Sequence, residues 1–557
     1  MKRSSTTVSL ILLLMLTLML LACGQPETDA GQAADAKGAS QSAYEVDVIR
    51  LGGGDWGYPT PFAHYPRGPG GFKMCLIFDS LLERDEKGLI PWLAEKYEIG
   101  DDGMTYRFTI RRGVRWHDGT PLTAQDVAFS IDYANGHPAT WSYIFEAVAS
   151  VDTETDRVVR VRLKKPHAAM LYNIGRTRII PKHIWEKVDR PKEFTSPEAV
   201  IGCGPYRLTH YSKAHGTYRF EAFDDFWGPK PRVRVVEYVP AGEPILAYEN
   251  GQIDLTRVTP DVLPRFQKDP AHKIVQSPAF WGYRLLMNMG DVACLRHVSV
   301  RRALAHAIDR RELVDKVARG AAVPGSLGIL PPDHVMAAKD TRPYPFDPQQ
   351  ARTLLDRAGY DRTNEDETRL SPDGQPLILD LLCSSREVRM AELIRQRLKA
   401  VGIGLTIRSV DGKTRDAQVR GFNYQLAILG HGGWGSDPDY LASRFAGEIL
   451  DRSASPSRSR LPGFDAPDLM PLLKRQQTEI DPEKRRRLIT EIQKMLAEQV
   501  PEIPLFYTTA YSVYRPATYD GWMFMFDHHN LTHSKLSYLA RSGAAEMRSE
   551  IVTQLGK

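Results

Sequence analysis

Cysteine is scarce in this sequence. Five cysteines among 557 residues are too few for a disulfide scaffold, and no CxxC motif is present to indicate a zinc ribbon or a thioredoxin-type site. An excess of charge is also missing, since 73 Lys and Arg residues against 68 Asp and Glu residues leave +5, which argues against a dedicated nucleic-acid-binding surface. The content of 42% hydrophobic and 25% charged residues excludes a disordered, collagen-like or polytopic membrane protein and predicts several globular domains or two large lobes.

The N-terminal apolar stretch, residues 8–22, is too short for a membrane-spanning helix, which needs about 20 apolar residues. It follows the positive residues Lys2 and Arg3, and this pattern predicts a secretory signal peptide over residues 1–22. The sequence Leu-Leu-Ala-Cys, ending at Cys23, resembles the bacterial lipobox, in which the cysteine is lipidated and becomes the new N-terminus. An ordinary signal peptide with an incidental cysteine is the alternative.

Residues 23–43 are rich in Gly, Ala, Gln, Ser and Asp and predict a flexible tether. The expected location is therefore the cell envelope, either lipid-anchored on the outer face of the cytoplasmic membrane or in the periplasm. This compartment is oxidising, so the remaining cysteines form one or two disulfides or stay as buried thiols, and the sequence does not choose between these states. They are Cys75, Cys203, Cys294 and Cys383.

The predicted secondary structure changes near residue 290. Before it, short alternating segments such as 104–110 predict half-buried strands. After it, an apolar strand at 377–383, a helix at 387–401 and a strand at 403–407 predict a strand–helix–strand unit with parallel neighbours. A further strand is expected at 503–513, so the sequence predicts an α/β protein with one β-rich and one α/β lobe.

The sequence contains no complete motif of a known catalytic or nucleotide-binding site. Gly52, Gly54 and Gly57 satisfy GxGxxG, but Pro59 and Pro61 follow, where a dinucleotide site needs the start of a helix. Neither GxSxG nor HExxH occurs in the sequence. We therefore expect no enzyme activity, no catalytic residues and no cofactor.

Two histidines near the C-terminus have the spacing of metal ligands on a helix. His529 and His533 are four residues apart and could share a metal on a helix, with Asp527 as an added ligand. Asn530 and Thr532 do not favour a helix here, so no metal site is predicted.

Residues 92–130 contain a strand, a turn and a helix start in a characteristic order. The alternating strand is followed by Trp116, the turn sequence Asp118-Gly119 and the segment LTAQDV, whose threonine can cap a helix. This stretch is very similar to the signature of the family 5 bacterial extracellular solute-binding proteins, which include the oligopeptide-, dipeptide- and nickel-binding proteins of ABC importers. Four further segments resemble the family in the same order: 201–208, 298–317, 351–360 and 503–507.

The resemblance implies the large type II periplasmic-binding-protein fold, with two lobes hinged about a cleft and an extra subdomain in the first lobe. The boundaries expected from it are lobe I at 44–282 with the subdomain at about 73–194, lobe II at 283–502, a return to lobe I at 503–540 and a C-terminal extension at 541–557.

The same resemblance implies a ligand site in the segment 431–440. In oligopeptide-binding relatives, a Trp-x-x-Asp pattern at this place supplies the aspartate that binds the α-ammonium of the peptide, and Trp434 and Asp437 match that spacing. A desolvated ammonium needs a carboxylate partner, which makes this role chemically sound. The alternative is a turn in which Asp437, before Pro438, caps local backbone groups.

Further residues are predicted to contact the ligand. Arg386 is a candidate for a peptide carboxylate, and His431 is available for a metal chelate. Aromatic residues are expected to line the cleft walls, because they offer an adaptable surface, and the candidates besides Trp434 are Trp56, Tyr58, Trp281 and Tyr283.

The implied function is capture of a solute, above all a peptide, and its delivery to the transmembrane subunits of an ABC permease. Nickel or a metal chelate, an oligosaccharide or an opine-like compound are alternative ligands on the same fold. A lipid-anchored envelope hydrolase is a more remote alternative, since the sequence has no recognisable nucleophile motif. The expected partners are the solute, the permease and, through the lipid anchor, the membrane. We expect a monomer that binds no nucleic acid.

Overall fold

The computed structural model describes residues 44–64, 70–137, 146–431, 437–446, 461–525, 528 and 530–539. The signal peptide, the tether, Cys23 and the C-terminal extension lie outside these ranges. The strands within them are β1 (Val46–Gly53), β2 (Leu82–Arg84), β3 (Leu89–Pro91), β4 (Ala94–Ile99), β5 (Thr105–Ile110), β6 (Val148–Thr155), β7 (Val158–Leu163), β8 (Tyr206–Ser212), β9 (Thr217–Ala222), β10 (Val233–Pro240), β11 (Leu255–Val258), β12 (Lys273–Met287), β13 (Ala322–Pro324), β14 (Arg362–Thr363), β15 (Arg369–Leu370), β16 (Ile378–Ser384), β17 (Gly404–Val410), β18 (Leu426–His431) and β19 (Glu502–Tyr514).

Helices alternate with these strands, mainly in the second half of the chain. The α-helices of the described residues are α1 (Gly70–Lys73), α2 (Ala124–Gly136), α3 (Met170–Gly175), α4 (Lys182–Trp185), α5 (Pro244–Glu249), α6 (Pro264–Gln267), α7 (Ala293–Arg296), α8 (Val298–Ala307), α9 (Arg310–Lys316), α10 (Pro348–Arg357), α11 (Val388–Lys399), α12 (Gly412–Arg420), α13 (Tyr440–Phe445), α14 (Leu469–Thr478) and α15 (Pro482–Gln499). Throughout the described ranges, no helix is both long enough and apolar enough to span a membrane.

A mixed sheet of eleven strands connects the two lobes. Its order is β17-β16-β18-β12-β19-β11-β1-β10-β9-β8, with β13 beside β19. Both β12, with 15 residues, and β19, with 13 residues, are long enough to reach from one lobe into the other. β12 and β19 pair with each other along their length. At one end β19 also pairs with β11. Towards the other end β12 pairs with β18, and β19 pairs with β13. These two strands are the crossovers between the lobes.

The strand–helix–strand unit predicted for the second half is present. β16 pairs in parallel with β17 from Ile378↔Gly404 to Ser384↔Val410, and α11 connects the two strands. The helix begins at Val388, within one residue of the expected start, and follows a 3₁₀ turn and a capping box between Ser384 and Glu387. β19 confirms the predicted return strand.

The first lobe carries an additional four-stranded antiparallel sheet, in the order β4-β5-β7-β6. Alternation along β5 confirms the prediction, because Tyr106, Phe108 and Ile110 are buried. These residues belong to a hydrophobic core of their own, and α2 covers it with a capping box between Thr123 and Asp126. This sheet and its core account for the extra subdomain, while the predicted lobe and subdomain boundaries remain predictions.

A buried ion cluster attaches the C-terminal segment to the first lobe. The ammonium of Lys535 lies 2.5 Å from Asp79 and 2.9 Å from Glu83, and all three side chains are almost fully buried. Indole N–H groups of Trp92 and Trp227 donate to Asp79 at 2.8 and 2.9 Å. The carboxylates are therefore compensated by both charge and hydrogen bonds.

The four cysteines of the mature body are all buried and free, so the thiol alternative holds for the described residues. Burial raises the pKa of Cys294 and of Cys383 to about 11. These thiols stay protonated at neutral pH and act as small apolar residues.

Candidate ligand-binding cleft

The crossover strands form the floor between the lobes. Pairing between β12 and β19 is irregular where the chain passes from one lobe to the other, between Ser277↔Ala510 and Trp281↔Thr508. An irregular ladder has fewer hydrogen bonds to resist bending.

Trp281 and Tyr283 lie together on the crossover, as half-buried neighbours with ring centroids 4.7 Å apart. A side chain at Gly430 would place its Cβ 2.5 Å from the indole of Trp281. A glycine is thus required for the indole to approach this closely the strand that leads into the predicted ligand segment. Their role as cleft walls remains a prediction.

The loop after β1 holds Trp56 and Tyr58 in place. The backbone N–H of Trp56 donates to the hydroxyl of Tyr218 at 2.9 Å. Tyr58 packs edge-on against Tyr211 at 5.4 Å, and the hydroxyl of Tyr211 donates to Asp55 at 2.7 Å. Among the described residues, no helix begins directly after this loop, in agreement with the rejection of a dinucleotide site.

Asp437 is paired with an arginine that the sequence did not reveal. The guanidinium of Arg485 donates to both carboxylate oxygens of Asp437, at 2.7 and 2.5 Å. Burial opposes the charge of Arg485, but its hydrogen bonds and attraction to Asp437 raise its pKa. Asp437 also accepts from the backbone N–H of Asp439 at 2.9 Å, which is the local capping that we considered as the alternative.

The role of Asp437 in binding a ligand ammonium remains a prediction, and the ion pair with Arg485 restricts how the ammonium could bind. The side chain is only 20% exposed, and Arg485 is 6% exposed. A ligand ammonium would have to share the carboxylate with this guanidinium or displace it.

Three further residues, Arg386, His431 and Trp434, were predicted as ligand contacts. Arg386 is exposed in the 3₁₀ turn after β16. The backbone of His431 ends β18 and pairs with Gly282, whereas Trp434 and the side chain of His431 lie outside the described residues. Their contacts with a ligand remain predictions.

A buried charge triad fastens the segment after Asp437 to both crossover strands. Glu502 at the start of β19 accepts from Arg284 of β12 at 3.0 Å and from Arg444 of α13 at 2.7 Å. All three side chains are at most 2% exposed. Burial alone would raise the pKa of Glu502, but the two arginines hold it below its ordinary value.

A group of basic side chains in the first lobe was also missed by sequence reasoning. The ammonium of Lys73 is buried over the rings of Tyr238, at 4.0 Å, and Tyr218, at 5.0 Å. Burial lowers its pKa to about 7, opposed by the charge of Asp55. Burial and the charges of Lys73 and Arg257 hold the pKa of His533 well below its ordinary value.

His528 and His533 stack on each other and on Phe72. His533 and His528 both stack on Phe72, with centroids 4.2 and 4.3 Å away, and their ring nitrogens are 2.6 Å apart. The described ranges contain no group of three His, Cys, Asp or Glu residues that could hold a metal ion. Asp527 and His529 lie outside those ranges.

The fold and the crossover geometry agree with a comparison against known families. Residues 88–449 match the family model "Bacterial extracellular solute-binding proteins, family 5 Middle". The chain belongs to this family. The expectation drawn from residues 92–130 is thus confirmed.

The similar proteins differ in the ligands for which they are named or with which they were solved. A putative ABC transporter peptide-binding protein of Brucella ovis is 29% identical over 360 residues, and the chain spans 64% of that relative's length and matches over 62% of its own. The dipeptide-binding protein of Escherichia coli (strain K12) is 26% identical over 457 residues, 77% of this chain and 82% of the relative. The structure of NikZ from Campylobacter jejuni in complex with Ni(L-His) shares the fold, with a TM-score of 0.74 and 22% identity over 89% of this chain and 99% of NikZ.

Proposed function

We propose that this protein is the solute-binding component of an ABC importer, which captures a peptide between its lobes and delivers it to a membrane permease. The observation that carries this proposal is the family match over 88–449, which includes the crossover strand β12 and the strand β18 beside it. Two lobes joined by two long strands suit a protein that closes on a ligand and opens to release it. In this proposal the protein is a monomer without catalytic activity, and it binds no nucleic acid.

The lobe boundaries belong to the same proposal. We assign 44–282 and 503–540 to lobe I, with the extra subdomain at about 73–194, and 283–502 to lobe II. Support comes from the hydrophobic cores. One contains buried residues between 279 and 507 and extends a few residues past both proposed ends of lobe II along the crossover strands, and another joins residues near 49 to residues near 538.

A peptide is the ligand class we favour. It is supported by the peptide-binding relatives in Brucella ovis and Escherichia coli. The half-buried aromatic residues Trp56, Tyr58, Trp281 and Tyr283 would offer surfaces that accept different peptide side chains. A metal chelate is the second candidate, because the similar NikZ structure holds Ni(L-His).

A thermal-unfolding panel separates these ligands. We expect di- to pentapeptides to raise the melting temperature of the mature protein, because a ligand at 100 times its Kd adds about 2.7 kcal/mol to the stability of the folded state. The panel also contains Ni²⁺ with and without L-histidine, and an oligosaccharide. A rise with nickel–histidine or the oligosaccharide, without one for any peptide, would contradict peptide binding while leaving solute binding intact.

We further propose that Cys23 carries a lipid anchor, which places the protein in the cell envelope. Intact-mass analysis of the mature protein should show Cys23 as the N-terminal residue, with the added mass of diacylglycerol and any further acyl chain. The Cys23→Ser variant should lose this mass and leave the membrane fraction, because serine lacks the thiol that carries the diacylglyceryl group and the acyl chains provide the anchoring. An unmodified N-terminus at another residue would refute the anchor.

A further inference from the structure

The extra subdomain contacts the second lobe at a place outside the crossover strands. The loop between β7 and α3 contains Pro166, His167 and Ala168. The backbone N–H of Ala168 donates to the carbonyl of Gln477, in the last turn of α14, at 2.7 Å. A main-chain hydrogen bond thus joins the proposed subdomain to the proposed lobe II.

A charged contact lies beside this hydrogen bond. Nε2 of His167 is 3.8 Å from Oδ1 of Asp439, which is within ion-pair distance but too long for a hydrogen bond. The two side chains are 12% and 11% exposed, so the contact is largely shielded from solvent. Asp439 also accepts from the side-chain amide of Gln477 at 2.8 Å, which connects it to the residue that Ala168 binds.

An apolar contact extends the same interface. The turn between β4 and β5 has Gly103 at a φ of 64°, and a Cβ placed on this glycine would lie 3.2 Å from the side chain of Ile480. The same Cβ would lie 3.8 Å from Pro166, so the turn and the loop approach Ile480 together. Ile480 lies between α14 and α15 and is 51% exposed. The subdomain therefore covers part of an isoleucine that would otherwise face solvent.

Each side of this interface is fixed within its own lobe. On the subdomain side, the backbone N–H of Leu163 donates to the carbonyl of Met104 at 2.8 Å, which ties the loop to the turn. On the lobe II side, Arg485 binds Asp437 at 2.7 Å and the carbonyl of Gln476 at 3.0 Å. The backbone before α13 is therefore connected to the end of α14 and moves with it.

We propose that these contacts form a clasp that holds the two lobes closed. It consists of Gly103 and residues 166–168 on the subdomain, and of Asp439, Gln477 and Ile480 on lobe II. This inference rests on the proposed function, because closure retains a solute between the lobes, and it gives the extra subdomain a part in that closure. The crossover strands join the lobes in every state, whereas the clasp forms only when the lobes are closed. A few weak contacts of this kind shift the balance between open and closed molecules without locking it.

Pulsed electron paramagnetic resonance on the mature Cys23→Ser protein measures the clasp without any solute. Spin labels are attached at Arg162→Cys on β7 and Lys474→Cys on α14, which are exposed positions in the subdomain and in lobe II, while the four native thiols are buried. We expect a short label-to-label distance from closed molecules of this reference protein. Adding His167→Ala and Ile480→Ser should lower the ratio of closed to open molecules by about tenfold, which corresponds to about 1.4 kcal/mol of lost charge contact and apolar burial.

Ile378→Ser is the matched control, because Ile378 is an isoleucine of lobe II on β16 with a similar exposure of 52%. It should leave the distance distribution of the reference protein unchanged. The clasp would be overturned by the absence of a short distance in the reference protein, by the same distribution in clasp variant and control, or by opening of the control. These outcomes do not depend on the identity of the solute. A thermal panel in which no solute binds would refute the proposed function and leave the distance measurement valid.

Discussion

Replacing Glu502 by alanine should lower the free energy of unfolding by about 3–5 kcal/mol, the usual cost of removing one partner from a buried ion pair. Arg284 and Arg444 would keep their charges in a site where the three side chains are at most 2% exposed. The pKa of Glu502 is depressed in the folded protein. Its stabilising effect is therefore complete above the unfolded pKa of about 4.3 and is lost as the pH falls through the folded value.

Urea unfolding of the mature protein at neutral pH measures this effect. Glu365→Ala is the matched control, because Glu365 is exposed in the same half of the chain, and we expect its variant to stay within about 0.5 kcal/mol of the wild type. A Glu502→Ala variant as stable as this control would contradict the importance of the triad. Because Arg444 belongs to α13, which follows Asp437, we also expect ligand affinity to fall in the surviving folded protein.

Asp437→Asn should have the second largest effect, a loss of about 1.5–3 kcal/mol in stability, since hydrogen bonds to a charged partner are worth that much. Asparagine keeps the shape and the cap of Asp439 but offers Arg485 a single neutral oxygen. Urea unfolding checks the prediction, and Arg485→Met with the double variant measures the coupling between the two side chains. An Asp437→Asn variant as stable as the wild type would contradict the structural role of the pair.

The same variant tests the ammonium hypothesis separately. If Asp437 binds a peptide ammonium, affinity for a free peptide should drop by tenfold or more, on the order of 2 kcal/mol, whereas an N-acetylated peptide should bind equally to both proteins. If Asp437 serves only Arg485, stability falls and affinity per folded molecule is unchanged. Loss of stability without loss of affinity would refute the role that the Trp-x-x-Asp spacing implied.

The elements that sequence reasoning predicted best have local causes. Alternation along β5 places Tyr106, Phe108 and Ile110 on one face whatever the rest of the chain does. The helix cap at Thr123 depends on residues within three positions. The start of α11, expected at residue 387 and found at Val388, likewise follows a local signal, the capping box from Ser384 to Glu387.

The candidate site was predictable only in part. Residues 431–440 were located through resemblance to the family, and Trp281 was expected as an aromatic residue of the cleft wall. The partner of Asp437 lies 48 residues away on α15, in a helix whose arginines look equivalent in the sequence. Only burial distinguishes Arg485 from the others.

By itself, the sequence determined the family, the α/β class and the main strand–helix–strand order, because these depend on patterns between neighbouring residues. It also supplied the prediction of a secreted, lipid-anchored chain, and its four mature cysteines left the disulfide state open. Tertiary structure decided that these thiols are free and that Asp437 faces Arg485. It also brought Lys535 to Asp79, 456 residues away. These outcomes depend on which distant segments exclude water around a charge, and no local pattern in the sequence encodes that.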